Sequence, residues 1–309
     1  MGRTARGKIV GIDLGTTNSA VSRADLPGSD RPGGGIAIFP IPQLTGPGEV
    51  SSLPMLPSFL YIPGEHEIRR EAYVLPWSAV TGGFVGAFAR NQGAAVPGRL
   101  VSSAKSWLCQ ARADRRAAIL PWGAGEDVDR VSPVEAVAAV LGHIRSSWNH
   151  LALEKDGVPL EDHRIVLTVP ASFDEVARDL TVEGAALAGL PHVILLEEPL
   201  AAFYSWLMDH ERDWENRVVP GELILICDVG GGTTDFTLVT LQEKKGTAVF
   251  ERIAVGDHLI LGGDNMDLAL ARLAESKLAT GRETSLSLQR WQALCHQCRE
   301  AKEKILGGT

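Results

Sequence analysis

The sequence runs to 309 residues, with 45% hydrophobic and 22% charged side chains, a composition that supports a substantial buried core and excludes global disorder. Thirty Lys and Arg against 38 Asp and Glu leave a net charge of −8, so the overall field repels a nucleic-acid backbone. Cys109, Cys227, Cys295 and Cys298 are too sparse for a disulfide framework and fit a reducing, cytoplasmic setting.

In chain order, the basic start Met1–Lys8 is followed by an apolar run that meets Asp13 too soon for an export signal. Lys8–Arg23 reads as two β-branched runs around Gly15-Thr16-Thr17-Asn18, a hairpin with a tight polar turn. The Pro- and Gly-rich stretch Pro27–Pro57 reads as loops and edge strands outside the core. Ala72–Ala89 carries no charge, but Pro76, Gly82, Gly83 and Gly86 argue for buried strand and loop over a membrane helix.

Arg99–Cys109 is expected to be helical and carries Lys105. Ser132 as N-cap, with Pro133 at the first helical position, opens a helix toward Leu153. A strand over Arg164–Val169 follows, then a capping box at Ser172–Glu175 and a helix to about Ala188, a strand over His192–Leu196 and a helix from Pro199. That alternation is the grammar of an α/β layer.

Leu223–Leu241 repeats the first hairpin: apolar strand, Asp228, the glycine turn Gly230-Gly231-Gly232, two threonines, apolar strand. Two copies this far apart indicate a duplicated domain. A strand over Ala248–Val255 and helices from about Asn265 and over Ser285–Leu306 complete the second copy, which lacks the strand and helix set of the first. Internal symmetry therefore predicts a truncated second lobe. Cys295-His296-Gln297-Cys298 has metal-like spacing, but with no second pair at finger distance the two thiols read as i, i+3 neighbours facing a core.

The two glycine turns suggest a pair of phosphate grips. Gly15 and Gly230–Gly232 lack the β-carbons that keep backbone amides away from phosphate oxygens, and Thr16, Thr17 and Thr233 add hydroxyl donors. Asp13 and Asp228 would repel phosphate directly, so their sensible role is to hold a hydrated Mg²⁺ between carboxylate and phosphate. Neither a P-loop nor a Rossmann glycine string is present.

Ile12–Ser19 and Asp228–Phe236 together resemble the two phosphate motifs of the heat shock protein 70 chaperone family, within the actin and sugar-kinase superfamily. Val169–Phe173 with Arg178, Glu197–Ala202, and Gly256-Asp257 with Gly262–Asp267 resemble further stretches of that family. The resemblance implies an actin-like ATPase fold (α/β, ribonuclease H-like and duplicated). Lobe one would be 1–220 with an outer insertion over about 57–132, and an incomplete lobe two 221–309 with its outer part from about 259.

It also implies roles. Lys105 matches the family's catalytic lysine, Glu198 and Asp235 match carboxylates near the metal and water, and Thr233 matches the hydroxyl beside the γ-phosphate. Asn18, Gly262, Gly263 and Lys302 join the nucleotide-binding set, and Pro170 and Arg178 match the relay toward the peptide-binding domain. On the ribose and adenine helix the family pattern of acidic residue, lysine, then basic or polar residue is met by Arg299, Lys302 and Glu303, so only Lys302 matches.

The implied function is ATP binding and hydrolysis with ATP/ADP and Mg²⁺, coupled to client proteins through a peptide-binding domain absent from the sequence, with co-chaperones and nucleotide exchange factors as partners and neither nucleic acid nor membrane. Alternatives from the same residues are a sugar or metabolite kinase and a catalytically incomplete interaction module. The missing adenosine motif predicts weak turnover by this chain and binding that depends on phosphates and Mg²⁺.

Overall fold

The structure is a computed structural model that describes residues 7–25, 35–65, 67–77, 82–110, 112–153, 157–244, 247–257, 259–278 and 286–307. It is a mixed α/β protein. The chain opens with β1 (Lys8–Leu14) and β2 (Asn18–Asp25), followed by β3 (Ala37–Ile38), β4 (Ile41–Gly46), β5 (Glu49–Leu53), β6 (Met55–Pro57) and β7 (Leu60–Tyr61). Next come β8 (Phe84–Val85), α1 (Ala87–Ala95), β9 (Leu100–Val101), α2 (Ala104–Trp107) and α3 (Pro133–Leu153). The alternating section is β10 (Arg164–Val169), α4 (Glu175–Leu187), β11 (Val193–Glu197) and α5 (Glu198–Asp209). The C-terminal part holds β12 (Leu223–Val229), β13 (Thr234–Lys244), β14 (Thr247–Val255), α6 (Gly263–Leu278) and α7 (Leu288–Leu306).

A six-stranded sheet is ordered β11-β10-β1-β2-β3, with β6 also on β2, and it combines parallel β11-β10-β1 pairing with the antiparallel β1–β2 hairpin. Alternation along these strands sends Val10, Ile12, Val21 and Leu167 to one face, all fully buried. That face is covered by α3 and α4. On α3, Val137, Leu141, Ile144 and Trp148 recur at helical spacing and are at most 1% exposed, so Leu141→Ala would cost about 2–5 kcal/mol. Gly184 of α4 lets the helices touch, since a Cβ there would lie 3.0 Å from Val137 Cγ1. The three-stranded sheet β12-β13-β14 is antiparallel throughout.

The start of α3 follows from sequence. Ser132 Oγ accepts from the Glu135 amide at 3.1 Å and Glu135 Oε2 accepts from the Ser132 amide at 2.7 Å, which closes a capping box. The box expected at Ser172 is not the cap of α4: Asp174 is, accepting from the Ala177 amide at 2.7 Å. Both residue types are good caps, and the one adjoining the first helical residue wins.

Two expectations fail outright. Residues 27–57 do contribute to the core, because their prolines and glycines punctuate short strands and do not replace them; Phe39, Ile41, Leu44 and Leu56 are all buried, while residues 26–34 lie outside the described ones. Arg99–Cys109 is not one helix. Arg99 ends a 3-10 turn, Leu100–Val101 pairs with Leu60–Tyr61, Ser103 takes the left-handed φ of 54°, and only Ala104–Trp107 is α-helical.

Ala72–Ala89 buries Tyr73, Leu75, Phe84 and Phe88 in a second cluster, with residues 78–81 outside the described ones. Among the described residues no helix is long and apolar enough to cross a membrane. Helix α7 starts at Leu288 with Ser287 as its cap; Ser285, the start expected from the sequence, lies outside the described residues.

Candidate functional site

The two glycine turns touch. A Cβ on Gly231 would sit 2.2 Å from Thr17 Cγ2, and one on Gly232 would sit 2.9 Å from Thr16 Cγ2, so only glycine allows this approach. Within the second turn the Gly230 amide donates to Thr233 O at 2.8 Å; within the first, a Cβ on Gly15 would collide with Asn18 O at 2.0 Å. The segment before α6 lies against the second turn, with the Gly263 and Asp264 amides donating to Gly230 O at 3.1 Å and Gly231 O at 2.7 Å. Gly262 has no room for a side chain there, since its Cβ would be 2.6 Å from both carbonyl oxygens.

Below the turns is a cavity of about 780 Å³, lined among others by Asp13, Asn18, Lys105, Glu198, Asp228 and Thr233. Asp13 is presented at the end of β1, and Asp228 and Asp235 are register partners across the β12–β13 hairpin. Glu198 is the first residue of α5 and accepts from Lys105 Nζ, which α2 carries into the interior at 4% exposure. Asp235 is also buried.

The charges are crowded. Burial pushes the Glu198 carboxyl above its ordinary range and Asp13 and Asp228 add to the push, while Lys105 opposes it. Asp228 is likewise raised, by burial first and then by Asp235 and Asp13. This donor set suits a further cation. Among the described residues no three His, Cys, Asp or Glu side chains gather closely enough to ligate a metal directly.

The structure thus brings together Asp13, Gly15, Thr16, Thr17, Asn18, Lys105, Glu198, Asp228, Gly230, Gly231, Gly232, Thr233 and Asp235 and sets Gly262 and Gly263 against the second turn. Lys302 is close by but engaged, its Nζ held by Asp267 Oδ1 at 2.7 Å and donating to Gly263 O at 2.8 Å. Arg299, the departure on that helix, is bound by Asp264 and by Asp267 at 2.9 Å and lies 5.6 Å over the Phe59 ring. Glu303 faces Arg90 of α1 at 3.6 Å, and Ser103 Oγ donates to Asp264 at 3.3 Å, so polar contacts close the rim of the cleft. Outside the cavity lining, Phe203 of α5 is edge-on to Phe250 of β14 at 4.4 Å.

Sequence reasoning missed two participants. Thr168 Oγ1 donates to Asp13 Oδ1 at 2.7 Å and fixes that carboxylate; an alternating strand gives no sign of it. Ser106 lies beside Gly232, and its buried hydroxyl has no hydrogen-bond partner among the described residues. Pro170 lines the cavity, and Arg178 donates to Phe173 O at 3.1 Å and to Glu197. Cys295 and Cys298 are half-buried free thiols, and burial raises that of Cys295.

Comparison with known proteins finds similarity to one family. The family model described as Hsp70 protein matches residues 85–307. The chaperone protein HscA of Salmonella agona is 30% identical over 267 residues, covering 84% of this chain and 36% of that protein. The HscA homolog of Acinetobacter baylyi is 35% identical over 176 residues, 57% of this chain and 26% of that protein. The matched stretch is therefore about a third of the length of these curated relatives or less. Twin glycine turns over paired carboxylates, and a family match that runs from β8 to the end of α7, lead to one conclusion: the chain belongs to the Hsp70 family.

Proposed function

We propose that the cleft holds the triphosphate of ATP with Mg²⁺, and that the chain is the nucleotide-binding part of an Hsp70-type chaperone ATPase with an actin-like, two-lobed fold. Lobe one is 1–220 with its outer insertion over about 57–132, and lobe two is 221–309 with its outer part from about 259. The observation that carries the reading is the contact of Gly231 and Gly232 with Thr17 and Thr16 above Asp13 and Asp228, two copies of one strand-turn-strand device turned toward each other.

In this reading the amides and hydroxyls of both turns bind phosphate oxygens, and Asp13 and Asp228 hold Mg²⁺ through water. Mg²⁺ supplies positive charge between the phosphates when bound. Glu198 and Asp235 orient the attacking water, and the raised Glu198 carboxyl is suited to accept its proton. Lys105 offers its ammonium to the charge that develops as the water oxygen bonds to the γ-phosphorus and ADP leaves with the electron pair of the broken bond.

For the whole protein, client proteins, co-chaperones and exchange factors follow as partners and the cytoplasm as location. Phosphate release from ATP and Mg²⁺, assayed with and without a glucose-type acceptor, tests the reading. Release to water that ignores the acceptor is expected. Transfer to the acceptor would establish a kinase, and no release together with no ATP binding would leave only an interaction module.

A further inference from the structure

Glu197 and Glu198 are adjacent, yet they serve opposite directions. Glu198 turns into the cleft to Lys105, while Glu197, the last residue of β11, divides its two oxygens between two arginines. Its Oε1 accepts from Arg178 of α4 at 2.9 Å, and its Oε2 accepts from Arg252 of β14. With its side chain only 13% exposed, this carboxylate is mostly withdrawn from solvent screening.

The contacts tie together two parts of the molecule. Arg178 sits behind the six-stranded sheet and clamps the loop that follows Pro170, through Phe173 O. Arg252 lies opposite Val239 on β13, the strand that carries Asp235. Removing Glu197 would leave two guanidinium groups at one place with their shared counter-charge gone.

We propose that the Arg178–Glu197–Arg252 bridge is a positioning device: it sets the spacing between Asp13 on one sheet and Asp228 on the other. The proposal rests on the triphosphate and Mg²⁺ reading above. Two carboxylates on separate sheets can serve one hydrated ion only if the sheets keep a fixed separation, because Mg²⁺ demands near-ideal octahedral geometry. Misplacement by about 1 Å is enough to forfeit much of such an arrangement. Neither Glu197 nor Arg252 belongs to the lining of the cavity, so both act through the carboxylates they position.

The test is calorimetric titration of ATP into the chain, once with Mg²⁺ and once with EDTA, for wild type, Arg252→Ala, Arg252→Lys and Glu197→Gln, with a thermal melt of each. If the bridge cuts the competent arrangement to a tenth when broken, the affinity gained from Mg²⁺ falls about tenfold in Arg252→Ala and Glu197→Gln. Affinity in EDTA is expected to hold, and Arg252→Lys to recover part of the gain. Unchanged Mg²⁺ gain in both charge-removing variants overturns the proposal. So does an equal loss with and without Mg²⁺, which would mark the bridge as merely structural. A wild-type chain with no Mg²⁺ gain would instead overturn the triphosphate reading itself, and the positioning role with it.

Discussion

Lys105 and Glu198, 93 positions apart, meet as a buried ammonium and a half-buried carboxylate at the floor of the cleft. The pair stands among Asp13, Asp228 and Asp235, so Lys105 offsets negative charge even before any phosphate arrives. Lys105→Ala is expected to lower single-turnover phosphate release by about 10²–10³-fold while most ATP affinity remains, because a charge aimed at the transition state acts there most strongly. Equal release from both proteins would remove Lys105 from the chemical step.

Asp228 gives a pH signature. Its carboxyl is raised in the folded chain, by burial and by Asp235 and Asp13, so the folded state holds this proton where the unfolded state has lost it. Stability from this group is present at acidic pH and falls as pH rises through the window between the ordinary carboxylate range and the raised value. Asp228→Asn should therefore melt higher than wild type at neutral pH without Mg²⁺, with the gap closing on acidification. Added Mg²⁺ should raise the melting temperature of the wild type and do little for the variant. Scanning fluorimetry across pH checks both.

Gly262 has backbone on the side where a Cβ would point, and Gly98 has nothing within 4 Å. Gly262→Ala is expected to push the segment before α6 off the second glycine turn, at a cost of about 1–3 kcal/mol, and to weaken ATP binding with it. Gly98→Ala should be close to neutral. Denaturant midpoints and titrations of the two variants, run in parallel, decide the matter.

Arg299 acts as a strut between α7 and α6. Its guanidinium holds Asp264 and the buried Asp267, and its removal should cost about 1.5–3 kcal/mol, the range for hydrogen bonds to charged groups. The Asp264 carboxyl, already pushed up by burial, should rise further when this counter-charge is gone. Faster limited proteolysis near α7 in Arg299→Ala is the expected result; an unchanged cleavage pattern and midpoint would show that α7 docks without it.

What could be read from the sequence was local. The turns at Gly15 and Gly230–Gly232 and the box at Ser132 and Glu135 depend on residues within a few positions, and they appear where the pattern puts them. Asp174 displaced Ser172 because two good caps stood two positions apart. The helix expected over Arg99–Cys109 dissolved because the pairing of Leu100–Val101 with β7, a tertiary contact, outweighed the periodicity. Thr168 with Asp13, 155 positions apart, and Glu197 with Arg252, 55 apart, had no local signal at all. The resemblance supplied Lys105 and Glu198, which no spacing rule would have joined.

The contacts around the cleft are of two kinds. Beside the glycine turns are Arg90 with Glu303, Ser103 with Asp264, and Arg299 over Phe59; outside the cavity lining are Phe203 against Phe250 and the Glu197 bridge. Dissolved salt weakens the half-exposed pair at the rim and leaves the aromatic contact untouched. The touching glycine turns, at Thr17 and Gly231, lie beside these polar contacts. The approach of Gly231 to Thr17 should therefore loosen as ionic strength rises.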